Sequence, residues 1–221
     1  GDPKHQKLGV DLLFGALTVW LTWAAARVVW PNRPALAAGS AAFVAFNPMF
    51  LYMAGAINND VVAAAAGAAV VYGCVRLLRD ERGLSWRWGV WLGVLYGLAL
   101  LSKFNLAAIL VVIEAAVTWV AWRRGQWRQW LVVNLLIAGV AGLLAGWWFV
   151  RNQMLYGEPT GFERLTELWG VRDPRDSFWL AVSELPYAWT SLWGRFGYGQ
   201  IPLPSWIYAA LFGVLLLSLA G

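Results

Sequence analysis

Long apolar runs, each closed by a charged or proline-bearing connection, divide this chain from end to end. A helix needs roughly 20 apolar residues to cross a hydrocarbon core of about 30 Å. In lipid the backbone must satisfy its own hydrogen bonds, so such runs become helices rather than open strands. The first run covers about 9–30 and ends at "PNRP", whose prolines break a helix. The second, about 35–56, contains Pro48 and is expected to kink there. The third, about 60–78, ends in "RLLRDERG". The fourth, about 88–101, is short unless it continues through "SKFN". The fifth, about 106–122, leads into "RRGQWRQW", and the sixth covers about 131–150. The expected fold is therefore all-α: a polytopic integral membrane protein of about seven transmembrane helices. Residues 1–150 form a six-span bundle, 151–205 a long extracytoplasmic aromatic and polar segment, and 206–221 the start of a seventh span.

Composition agrees. Hydrophobic residues make up 60% of the chain and charged residues 13%, about half the share in soluble domains. The net charge of +5 is read as loop asymmetry that sets membrane orientation, not as a nucleic-acid surface. A lone cysteine, Cys74, excludes an intrachain disulfide and a cysteine-rich metal site. A lone histidine, His5, excludes bis-histidine ligation. Many of the tryptophans fall at the ends of the apolar runs, where indole rings favour the membrane interface. The chain opens on Gly1 and stops at Gly221 inside an apolar run, and is expected to be part of a longer polypeptide.

Arginines fix the expected sidedness. Arg27 and Arg33 flank the first connection, Arg76, Arg79, Arg82 and Arg87 surround the third, and Arg123, Arg124 and Arg128 surround the fifth. Alternate connections share a face, and an excess of basic residues marks the cytoplasmic one. The loops near Arg33, Arg82 and Arg124 are thus expected in the cytoplasm, in a bacterial inner membrane. "GAINND", "SKFN" and the 151–205 segment emerge on the outer face, where any chemistry belongs.

Polar residues at that face are the candidates. Asn58, Asn59 and Asp60 stand where hydrocarbon begins, although a charge at mid-bilayer costs roughly 2.5–3.5 kcal/mol. Asparagine and aspartate suit a helix start, and a carboxylate there meets the positive end of the helix dipole. The alternative is a carboxylate on a cavity wall, holding a divalent metal or a substrate hydroxyl, with the amides beside it. Lys103 either snorkels to the headgroups or contacts a phosphate, and Arg151 offers a guanidinium fork of the same use. Glu114 lies mid-span, as a proton relay of a transporter or as a neutral acid bonded to Asn134 or Thr118. Asp11 reads as a first-turn interfacial residue. Arg195, within "SLWGRFGYGQIPLPSWIY", sits in an interfacial loop or a lid. Ala63–Ala66, Gly67, Ala68 and Ala69 permit close helix contact. No phosphate-loop, zinc-hydrolase or serine–histidine signature is present.

"NPMFLYMAGAINNDVVAAAAGAAVVYGCVRLLR", "GLALLSKFNLAAIL", "AGWWFVRNQMLYGEPTG" and "SLWGRFGYGQIPLPSWIY", in that order, resemble membrane glycosyltransferases of the GT-C type, in a protein-mannosyltransferase-like bacterial branch. The resemblance implies transfer of a sugar from a polyprenyl-phosphate-linked donor on the extracytoplasmic face, with inversion at the anomeric carbon. Asp60 would match an acidic residue serving a metal or the acceptor, so a divalent metal ion is allowed for as cofactor. Lys103 and Arg151 would match cations for the donor phosphate. The family's main catalytic carboxylate lies in an earlier outer loop, so the base is expected upstream of Gly1; Asp2-Pro3 is a poor match to that loop. A rival expectation is a non-catalytic integral membrane subunit of a larger complex, binding lipid or pigment through its aromatic surface.

Overall fold

Apolar helices in a bilayer gain little from excluding water and associate mainly through close packing, so small residues decide where they meet. The computed structural model describes residues 3–220 except 57, 171–174 and 176. Asp2 and the His5 side chain lie outside the described residues.

The first run is one helix, α1 (Pro3–Val29). The second is broken: α2 (Pro34–Ala45) and α3 (Pro48–Ala54) meet at 63°. Pro48 has no N–H to give and its ring would strike the preceding turn, so the helix stops and restarts. Asn47 caps the restart by accepting the Phe50 N–H at 3.0 Å. α4 (Asp60–Leu78) follows, then α5 (Trp86–Ser102). Lys103 is extended, with φ −160° and ψ 125°, and stops α5. A 3-10 turn over Phe104–Ile109 leads into α6 (Leu110–Arg124), which ends at Gly125 with φ +66°. Glycine tolerates that left-handed conformation. α7 (Trp127–Tyr156) is the longest helix, and beyond it come α8 (Phe162–Trp169), α9 (Ser177–Ser183), α10 (Leu185–Gly194), α11 (Phe196–Gly199) and α12 (Ser205–Ala220).

The protein is thus all-α and polytopic. Four described stretches are long and apolar enough to cross a membrane: Gly9–Val29, Asp60–Leu78, Phe104–Arg124 and Trp127–Tyr156. A fifth is reached if α2 and α3 count as one broken span. α5 has 17 residues, about 25 Å at 1.5 Å per residue, and does not run on through "SKFN" because Lys103 turns out of the helix. The described apolar part of α12 covers Ser205–Ser218. The stretch between α7 and α12 holds short helices, and Arg195 and Phe196 bridge to Pro202 and Ile201.

The core lies among α4, α5, α6 and α7, where Val70, Leu77, Leu92, Ile113, Val117 and Val133 are sealed from the surface. α1 packs on the other side of α4. α5 and α7 share the most extensive seam, and glycines make it close. A Cβ on Gly89 would lie 2.7 Å from Leu136 Cβ, on Gly93 2.8 Å from Val140 Cβ, and on Gly97 3.0 Å from Leu144 Cβ. Both number series rise together, so α5 and α7 run parallel. Large apolar residues such as Leu143, 84% exposed, face outward, as expected where the surroundings are acyl chains.

The contacts sort the connections by end. At one end Arg79 donates to the Val29 carbonyl at 3.1 Å, Arg124 donates to the Asp80 carbonyl at 3.0 Å and to that of Glu81, and the Leu84 N–H donates to Gln126 Oε1 at 2.8 Å. The arginine-bearing connections therefore share one end of the bundle. "GAINND" and "SKFN" meet at the other.

Candidate functional site at the Asp60–Lys103 end

Asp60 begins α4 and Lys103 ends α5, and the two side chains form an ion pair. Local chemistry prepares it. Asn58 Oδ1 accepts the Asp60 N–H at 2.8 Å, closing a tight turn that starts the helix. Asn59 Nδ2 donates to the Ser102 carbonyl at 3.2 Å, so the loop is tied to the last turn of α5. A carboxylate at a helix N-terminus and an ammonium at a helix C-terminus each complement the local dipole. Side-chain exposures of 38% for Lys103 and 34% for Asp60 leave both open to a ligand. The two amides, by contrast, are occupied in holding the loop.

Two hollows adjoin the pair. One, of 450 Å³, has Asp60 on its wall with Phe43, Asn47, Met53, Ala64 and Leu192. α10 closes it: Asn47 Nδ2 donates to the Leu192 carbonyl at 3.2 Å, and Phe43 meets Trp193 edge-on at 5.4 Å. The other, also 450 Å³, is an apolar groove between α1, α4 and α5, lined by Phe14, Ala65, Ala66, Ala69, Leu98 and Ser102. It reaches the residue next to Lys103. The alanine run of α4, expected to serve close helix contact, thus opens a groove on part of its surface.

Arg151 lies on α7 at the same end, since Phe149 packs against Phe104 at 5.9 Å. Its guanidinium rests 5.3 Å from the Trp148 ring centre and is exposed; no contact joins it to Asp60 or Lys103. Arg195 is committed elsewhere: Nε donates to Thr190 Oγ1 at 2.9 Å, a terminal nitrogen to the Gly199 carbonyl at 3.0 Å, and the group stacks on Tyr187. It pins the turn after α10. Glu114 is on α6, and of its two expected partners Asn134 faces it, whereas the Thr118 hydroxyl accepts the Trp130 indole N–H at 3.0 Å.

Asp11 falls in the first turn of the apolar stretch Gly9–Val29. It lies well inside α1, only 6% exposed, one turn before Gly15, whose neighbours are Ala54 and Val61. That places a second carboxylate beside the start of α4. Its signal was present in the sequence as the sole acid within the first apolar run. A divalent cation asks for six or more oxygen ligands. Among the described residues no group of three or more His, Cys, Asp or Glu could hold a metal ion, and Asp60 already faces an ammonium. No step is assigned to a metal ion.

The profile of the dolichyl-phosphate-mannose-protein mannosyltransferase family matches residues 2–148, well over half of the chain. The chain belongs to this mannosyltransferase family. No curated protein and no solved structure matches it. Membership makes this a glycosyltransferase-like integral membrane protein. The matched stretch contains Asp11, Asp60, Lys103 and Glu114, and ends before Arg151 and Arg195.

Proposed function

We propose that this mannosyltransferase-family chain binds a polyprenyl-phosphate-linked sugar at its Asp60–Lys103 end, on the outer face of a bacterial inner membrane, and takes part in transferring that sugar to an acceptor. The observation that carries the reading is an apolar groove whose wall reaches Ser102, the residue before Lys103. A polyprenyl phosphate is a hydrocarbon tail with an anion at one end, and an apolar groove that runs to the helix end bearing Lys103 suits that order of parts. The donor in the family's name, dolichyl-phosphate-mannose, has the same construction.

In the reaction the acceptor hydroxyl attacks the anomeric carbon, the carbon–oxygen bond to the phosphate breaks, and the polyprenyl phosphate departs with the extra negative charge. Lys103 is suited to stabilise that charge as it develops. Asp60 holds the ammonium in place, and Arg151 is a second cation at the same end, free to fork onto phosphate. The base that takes the acceptor proton is assigned to no residue of this chain.

The test is sugar transfer from polyprenyl-phosphate donors by the full-length protein. Lys103→Gln should lower turnover about 100-fold or more, the usual loss for one oxyanion-stabilising donor. Unchanged turnover would remove Lys103 from the site. One observation favours the rival reading of a non-catalytic subunit: Asp60 and Lys103 neutralise one another without any ligand. Exchanging the charges, Asp60→Lys with Lys103→Asp, separates the two. A purely structural pair survives the exchange in every assay; a phosphate site keeps its fold and loses transfer.

A further inference from the structure

At the arginine-bearing end, opposite Asp60 and Lys103, a hollow of 640 Å³ opens between the last turns of α4 and the first turns of α5. Arg76, Arg82 and Arg87 line it, together with the aromatic residues Trp86 and Trp91. We propose that this hollow binds the headgroup of an anionic phospholipid, with the lipid phosphate among the three arginines and the acyl chains lying along α5 past Trp91.

Charge comes first. Three arginines and one acid, Asp80, line the hollow. That carboxylate is already engaged, accepting the Trp88 indole N–H at 2.8 Å and the Arg82 backbone N–H at 2.9 Å. The ion pair found among the described residues is Lys103 with Asp60, at the far end. Arg82 feels the Asp80 charge, but among the described residues no ion pair ties Arg76 or Arg87, so the hollow keeps an excess of positive charge that an anion would offset.

Orientation comes second. Arg76 donates to the Tyr72 hydroxyl at 3.2 Å and lies 5.9 Å from that ring centre; Arg87 lies 5.7 Å from the Trp86 ring. Aromatic faces hold a guanidinium plane while leaving most of its donors free, and free donors in a fork suit phosphate oxygens. The first turn of α5 opens here too. Ser85 makes no side-chain cap bond to it, so the partial positive charge of that terminus adds to the field.

Position comes third. Trp86 and Trp91 are 60% and 50% exposed and continue into the lipid-facing side of α5. Basic pockets between membrane helices bind anionic lipid headgroups, and tryptophan rings favour the membrane interface where such headgroups lie. A free phosphate would satisfy the arginines but leave the Trp91 wall without a partner, so the lipid is the occupant the lining favours.

The experiment uses full-length protein in a neutral detergent, with melting temperature and native mass spectra read as lipid is added. Phosphatidylglycerol should raise the melting temperature and remain bound as an adduct, whereas phosphatidylcholine and inorganic phosphate should do neither. Arg82→Gln with Arg87→Gln should weaken phosphatidylglycerol binding at least 10-fold, while Arg123→Gln, at the same end but outside the hollow, should leave it unchanged. Both substituted arginines are exposed; should the double variant still melt too early to read, Arg82→Gln alone must weaken binding at least 3-fold. Equal shifts from phosphatidylcholine, or unweakened binding by the substituted protein, would overturn the proposal. An equal shift from inorganic phosphate would replace the lipid with a small anion and overturn it as well.

Discussion

Asp60 and Lys103 are each intelligible as a helix-end residue, and what joins them is the Asn59 side chain holding the Ser102 carbonyl. Asp80 plays a comparable part at the other end. The Arg82 backbone N–H, the Trp88 indole N–H and the nearby Arg82 and Arg124 charges hold its carboxyl below the usual carboxylate range. A lowered folded-state value means that Asp80 contributes stability while it is ionised, above its unfolded value of about 4. That contribution is lost as pH falls from there through the lowered folded value. Melting curves taken between neutral pH and the acid limit should therefore fall off at low pH, and Asp80→Asn should melt lower at neutral pH and show a shallower acid fall. A variant as stable as the parent at neutral pH would show that these contacts carry no stability. Charge and place along the chain made Asp60, Lys103 and Arg151 visible in the sequence. Their grouping was only partly visible, because whether Arg151 turns toward Lys103 or lies on Trp148 depends on side-chain rotation, which no spacing encodes.

Helix α5 is the element whose role the sequence hid best. Its apolar run looked merely short, yet Gly89, Gly93 and Gly97 recur every four residues and form the stripe that α7 lies against. The spacing was there to be read; the partner was not, because a small-residue stripe says that something comes close without saying what. Pro48 was the easier case, since its missing N–H acts on its own helix and the 63° bend follows locally. A Cβ on Gly93 would meet the Ile137 Cα and carbonyl at 3.2 Å as well as Val140, and backbone atoms cannot rotate away. Gly93→Ala should therefore cost about 1–3 kcal/mol, the usual penalty for overpacking. Gly142→Ala on α7, where a Cβ meets nothing within 4 Å, should stay within about 0.5 kcal/mol of the parent. Reversible unfolding in mixed micelles measures both; equal effects at the two sites would mean the seam is looser than described. The Asn47 cap belongs to the neighbouring joint. Asn47→Ala should cost about 1 kcal/mol and loosen α10 from α3, which proteolysis of the 185–204 region would report.

The whole molecule is a bundle with two unlike ends. The grouping of the arginine-bearing connections at one end was legible because it rests on alternation, which needs only the order of runs and loops. The number of full crossings was less legible, because it depends on where helices stop, and Lys103 stops α5 through its own backbone angles rather than through composition. Sidedness itself can be measured. With Cys74 replaced by alanine, single cysteines at Arg33, Arg82 and Arg123 should react with an impermeant maleimide only after intact cells are opened. Cysteines at Asn105 and Gln153 should react from outside beforehand. Labelling of both groups from the same side would refute the arrangement.

The parallel seam between α5 and α7 also bears on how the chain is made. α5 is short, begins with Trp86-Arg87-Trp88 and carries bare backbone along one face, which makes it the segment least at ease alone among acyl chains. The surface that covers that face is on α7, and the ribosome delivers α7 only after α6 has been synthesised. α5 therefore gains the cover for its glycine face only after translation has moved two helices further on, whereas Asp60, which holds Lys103 at its end, is already in place when Lys103 emerges.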